Sequence, residues 1–298
     1  MTSYARYGKN SSFTNSLTKD ELDSISSTEL LDIIHSLTKN DHRVLYYGPD
    51  NISEVKNLML NVHNTSGLIA IEKKNLNVEN KMNKNQVYVL DYDMKQAEVV
   101  MYTRGSKLNK DEYSIIKFHN EYFGGGMSSI VFQEMRESKA LAYSVYSTYT
   151  IPKKLDDSHY GFSYVGTQAD KLGDAMQGML GLLTQMPEAN SNMETAREGI
   201  LQKIRTERIT KAKVLDYYEE VKKVNIDYDM RSDLYKNVSA FTMEDLTNFH
   251  NTHVKSDNYT YMVLGSSKEI DLKLLESYGD VTILKLEDVL QITNFSSR

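Results

Sequence analysis

The sequence predicts an α+β fold with helices layered on one face of a largely antiparallel sheet. Three observations predict it. Residues 87–92, 97–103, 141–150, 159–165 and 259–264 are rich in β-branched and aromatic residues and are bounded by turn formers, as strands are. Residues 171–186 set Leu172, Met176, Met179 and Leu183 along one stripe at the helical period. The two kinds of run do not alternate one for one, as a parallel βαβ sheet demands, so the helices are expected on one side.

In chain order, residues 27–37 form an expected amphipathic helix carrying Leu30, Leu31, Ile34 and Leu37. Residues 43–47 read as a strand stopped by Gly48-Pro49, and 53–62 as another helix. Residues 242–249, 259–264 and 270–278 later repeat the order helix, strand, glycine, helix. That order is common in α/β proteins, so taken alone it leaves an internal repeat and a coincidence equally open. Residues 66–85 turn polar, rich in lysine and asparagine, and read as a linker. The strands 87–92 and 97–103 are expected to pair as a hairpin across Asp93-Met94-Lys95. A helix over 111–122 opens on Asp111-Glu112, as suits a positive helix N-terminus.

Three glycines, Gly124, Gly125 and Gly126, then break the pattern before a second helix over 127–139 and the strand 141–150. Residues 192–224 read as one charged helical stretch. Its Arg197, Lys203, Arg205, Arg208, Lys211 and Lys213, interleaved with Glu194, Glu198 and Glu207, are expected on a solvated face.

Charge and composition narrow the function. Lys+Arg 35 against Asp+Glu 41 gives a net charge of −6, which argues against nucleic acid as a main partner. The chain has no apolar run long enough for a membrane span, and its first residues carry no apolar signal region. With no cysteine, thiolate metal sites and disulfides are excluded, and the compartment stays open. The three glycines are not a phosphate loop, because Met127-Ser128 follows instead of Lys-Ser/Thr. His250 and His253 lie one helical turn apart, but two ligands are too few for a metal, and a solvated helix end is the better reading. Composition alone makes Arg136 a surface arginine paired with Glu134 or Glu137, and Tyr143 a tyrosine packed at a strand start.

One stretch changes that reading. Phe123-Gly124-Gly125-Gly126-Met127-Ser128-Ser129, Phe132-Gln133-Glu134, Arg136-Glu137 and Leu141-Ala142-Tyr143-Ser144-Val145 together resemble the C-terminal-half signature of the pitrilysin/insulinase family of zinc peptidases. Two positions depart from it: Ile130 stands where the family often has arginine, and Ala140 where it often has glycine.

The resemblance implies a metallohydrolase-like α+β domain from a chamber of duplicated domains. Residues 1–65 would be the C-terminal remnant of a preceding homologous domain, 66–85 the linker, and 86–298 a complete inactive C-terminal domain. It implies that Arg136 and Tyr143 reach substrate and the developing oxyanion, with Gly124, Gly125 and Gly126 beside them in substrate binding. The family's inverted H-x-x-E-H is absent here, so this chain is expected to hold no cofactor of its own. Zinc, and the general base with it, would lie in a metal-bearing N-terminal half, either on the same polypeptide or a separate subunit, acting on a peptide substrate. The other reading is a non-catalytic peptide-binding or scaffold module of the same fold.

Overall fold

In the computed structural model, which describes residues 1–63, 66–71 and 78–290, six strands form one mixed sheet. They are β1 (Gln86–Asp91), β2 (Gln96–Lys107), β3 (Ser144–Thr150), β4 (Ser158–Gln168), β5 (Thr260–Gly265) and β6 (Asp280–Leu284), in the order β3-β4-β2-β5-β1-β6. The pairs β2–β4, β2–β5 and β3–β4 are antiparallel, whereas β1 runs parallel to both β5 and β6.

The expected hairpin does not form, because β5 lies between β1 and β2. Its sequence TYMVLG is buried at nearly every position, so both of its faces need cover and it takes an inner place. Four residues link β1 to β2, enough to step over one strand at a spacing of about 4.8 Å.

The helices are α1 (Thr2–Tyr7), α2 (Lys19–Ser24), α3 (Ser27–Leu37), α4 (Ile52–Val62), α5 (Tyr113–Phe123), α6 (Ile130–Phe132), α7 (Leu172–Thr184), α8 (Asn190–Thr206), α9 (Lys211–Lys222), α10 (Met230–Ala240), α11 (Met243–Phe249), α12 (Leu272–Glu276) and α13 (Leu286–Val289). Helices α5, α7, α8, α10 and α11 bury their apolar stripes against Val87, Val89, Val99, Met101, Val145 and Val165 on one face of the sheet. That is the main core of the domain. The stretch expected as continuous over 192–224 breaks between α8 and α9, and α10 and β6 are additions to the sequence reading. Arg197 is not on a solvated face: it donates to the carbonyls of Val238 and Phe241, closing the C-terminal end of α10 over the Phe118 ring.

The opposite face is covered in part by α1 and α13, whose Tyr4, Ala5 and Val289 pack on Leu90, Val100, Tyr102 and Met262. Arg6 anchors α1: it donates to Glu79 at 2.6 and 2.8 Å and lies 4.6 Å over the Tyr160 ring. Helices α3 and α4 form where expected, each behind a polar cap at Ser26 or Asn51. Neither has a buried residue, and Leu30, Leu31, Ile34 and Leu37 are about half exposed. The strand expected over 43–47 is absent. Nearby, among the described residues, a bridge joins Asn40 to Ile69, and a strand without a sheet to join does not persist.

Candidate functional site

The glycine corner is built by the end of α5 meeting β3. A side chain at Gly124 would put its Cβ 2.2 Å from the Ser147 carbonyl oxygen, so only glycine lets the backbones approach. The Ser147 amide donates to the Gly124 carbonyl at 3.3 Å. One turn earlier, the Asn120 side chain donates to the Tyr149 carbonyl at 2.9 Å and accepts from its amide at 2.8 Å. The outer edge of β3 is thereby closed along these residues. Gly124 is thus buried in the seam between helix and strand, while Gly125 and Gly126 are exposed and a Cβ at Gly126 would meet almost nothing.

The second helix starts later than the sequence suggests. Ser129 caps α6, accepting from the Phe132 amide, and from Gln133 to Ser138 the backbone widens into a π-turn. Such turns re-aim side chains and recur at functional sites. Met135 is fully buried and anchors the turn, and the next residue, Arg136, points outward. Its side chain is 47% exposed, lies 4.9 Å over the Phe132 ring, and reaches Glu137 at 3.7 Å. Ala140 then turns the chain with φ 49°, a left-handed conformation that glycine adopts more readily.

Tyr143 sits at the head of β3. Its amide donates to the Gly166 carbonyl at 3.1 Å, and its hydroxyl donates to Gln96 Oε1 at 2.9 Å. Its ring lies over Gly166, about 3 Å from where a Cβ would stand. The phenol pKa is raised by burial and then by the Glu98 carboxylate, so the hydroxyl remains a proton donor at neutral pH. Arg136 and Tyr143 are both solvent-reachable, on either side of the turn at Ala140, and each is held by its own neighbours.

Sequence reasoning missed the company Tyr143 keeps. The register sets Tyr146 opposite Tyr164, Thr148 opposite Phe162, and Glu98 opposite Gly166, on the face of the sheet opposite α5, α7, α8, α10 and α11. The alternation of aromatic residues in β3 and β4 was the available signal, but which strands adjoin is a long-range fact.

The histidines divide. His250 is not on a solvated helix end but fully buried, donating Nε2–H to the Leu183 carbonyl at 3.0 Å. Its Nδ1 therefore accepts from His119 Nε2, also at 3.0 Å, leaving His119 Nδ1 buried without a partner. His253 instead stacks on Phe249 and faces Glu112 at 3.6 Å. Among the described residues, no group of three or more His, Asp or Glu is placed to hold a metal ion.

Burial pushes the His250 pKa down to about 4 and that of His119 well below its ordinary value. The unfolded chain then takes up protons below about pH 6.5 while the native pair does not, so stability is full above that pH and falls as the pH drops toward 4. We expect His250 alone to remove about 2 kcal/mol between pH 7 and pH 5, with His119 adding in the same direction. Urea midpoints measured at the two pH values check this, and equal midpoints refute a buried neutral pair.

Residues 24–191, more than half of the chain, match the family described as the peptidase M16 inactive domain. A curated relative, the uncharacterized zinc protease YmxG of Bacillus subtilis (strain 168), is 27% identical over 184 residues, which are 61% of this chain and 44% of that protein. Among solved structures, the peptidase M16 inactive domain from Pseudomonas fluorescens superposes with a TM-score of 0.62 at 15% identity, covering 84% of this chain and 59% of that one. A protease from Helicobacter pylori gives a TM-score of 0.59 at 17% identity, covering 83% and 60%. The chain therefore spans less than two thirds of these relatives, and the structural likenesses, at such low identity, speak for the fold.

Proposed function

Because this chain belongs to the family of the peptidase M16 inactive domain, the pitrilysin/insulinase family, we propose that it is the substrate-binding half of a zinc metalloendopeptidase, completed by a metal-bearing half. The observation that carries this reading is the pair of donors, Arg136 and Tyr143, held out to solvent on the two sides of one turn by a fully buried methionine and by Gly166. The Arg136 guanidinium suits a peptide carbonyl. The Tyr143 phenol, kept protonated, would turn its one proton from Gln96 to an oxygen that gains negative charge as the peptide bond is attacked.

The residues present do not fit zinc, since the chain lacks H-x-x-E-H and cysteine. The metal would polarise the scissile carbonyl and activate water from the other half. The name of the Bacillus relative, a zinc protease, supports placing a metal in the whole assembly. The domain plan fits the same reading: 1–65 as the tail of a preceding homologous domain, 66–85 as linker, and 86–298 as the complete inactive domain. The unburied apolar stripes of α3 and α4 support a segment that has lost its sheet.

The test is recombination. The chelator-free chain is expected to carry no stoichiometric zinc and to leave peptides intact. Mixing it with an H-x-x-E-H-bearing half is expected to give turnover. One tight zinc per chain, or cleavage by the chain alone, overturns the proposal. A mixture that binds peptide without cleaving it favours the scaffold reading.

A further inference from the structure

The face that carries Tyr143 also carries a carboxylate with no cation paired to it among the described residues. Glu98 is half-buried on β2, next to Gly166 in the register, and among the described residues no lysine or arginine pairs with it. Three tyrosines surround this spot. The Tyr143 ring lies over Gly166, and the Tyr164 hydroxyl reaches to 3.0 Å from the Gly166 Cβ position. The Tyr146 ring stacks on Tyr164 at 5.3 Å and 27°. Tyr146 and Tyr143 are 43% and 40% exposed, so the cluster is open to solvent. Burial, and after it the Glu98 charge, raises all three phenols, with Tyr164 pushed up to about 12.

A carboxylate among aromatic faces attracts a cation twice, through its charge and through the ring quadrupoles. The absence of a side chain at Gly166 keeps the floor low beside Glu98, and the stacked pair Tyr146–Tyr164 forms one wall.

We infer that Glu98, Tyr143, Tyr146 and Tyr164 form a subsite for a lysine or arginine side chain of a bound polypeptide. The inference rests on the substrate-binding reading above and adds a preference to it: peptides with a basic residue engage this half more tightly. Tyr143 then stands at the junction of the subsite and the reacting bond. The free α-ammonium of a peptide has the same charge chemistry, so the test must remove it.

The experiment uses the full chain and two N-acetylated, C-amidated fluorescent peptides identical except for arginine or citrulline at one position, read by anisotropy. The arginine peptide is expected to bind about tenfold tighter. Glu98→Gln, nearly isosteric, is expected to bring that ratio close to one, and Tyr146→Leu to reduce it severalfold. Equal affinity of the wild-type chain for both peptides overturns the subsite while leaving the substrate-binding reading intact, because peptide still binds. A ratio that survives Glu98→Gln also overturns it. No binding of either peptide overturns the subsite and the substrate-binding reading together.

Discussion

In the complex with the metal-bearing half, Arg136→Ala and Tyr143→Phe are each expected to lower kcat by about 10²–10³-fold, the loss typical of one oxyanion donor. The size follows from where a donor acts. A group that contacts charge only as it develops lowers the barrier without tightening ground-state binding, so its removal falls mainly on kcat. Neither change should disturb the fold. Among the described residues Arg136 reaches Glu137 and the Phe132 ring, and Tyr143→Phe keeps the ring on Gly166 and gives up one hydrogen bond to Gln96. The double variant should lose less than the product of the single effects if both donors serve one substrate segment. Steady-state kinetics on the reconstituted, zinc-loaded complex decide it, with thermal melts as the control. Unchanged kcat/KM in both single variants would remove these residues from the mechanism.

Gly124→Ala is expected to destabilise the chain by about 3 kcal/mol, at the upper end for added bulk in a packed site. The new Cβ would sit 2.2 Å from the Ser147 carbonyl oxygen and 2.6 Å from its nitrogen, and both are backbone atoms that no rotamer change can move aside. Relief requires shifting β3 from the end of α5, which strains the Asn120–Tyr149 pair as well. Gly126→Ala is the control. Its Cβ would meet only Glu121 Oε1, at 3.9 Å, and the loss of glycine's unfolded-state freedom should leave stability level or slightly higher. Equal urea midpoints for the two variants would show that the seam is looser than these distances say.

The spacing that singles out Arg136 and Tyr143 was legible in the sequence because it is local. Arg136 and Tyr143 are joined by one turn, and the left-handed conformation at Ala140 matches the place where the family's signature often has glycine. What could not be read was set by partners far along the chain. The β1–β2 hairpin looked sound from its own residues, but the more apolar β5, more than a hundred and fifty residues later, claims the position between them. Residues 43–47 have strand-forming side chains but no partner strand among the described residues, so propensity alone did not make them a strand. The surroundings of Glu98 gave no local sign, since its tyrosine neighbours come from β3 and β4 and meet it through register. His250 was read as solvated because the sequence does not show that α11 turns inward against His119.

The pairing of Asn120 with Tyr149, and of Gly124 with Ser147, has a consequence for how the protein behaves in crowded solution. A sheet whose terminal strand offers free amides and carbonyls can recruit a strand from another molecule and grow into aggregates. Here one rim is sealed by the molecule's own helix end, and the asparagine imitates the strand that would otherwise be recruited. The other rim is β6, only five residues long, with Lys84 and Asp280 paired at its start. Resistance to recruitment at the β3 rim therefore leans on a side-chain amide as well as on the Gly124 carbonyl, and Asn120→Ala would open part of that rim.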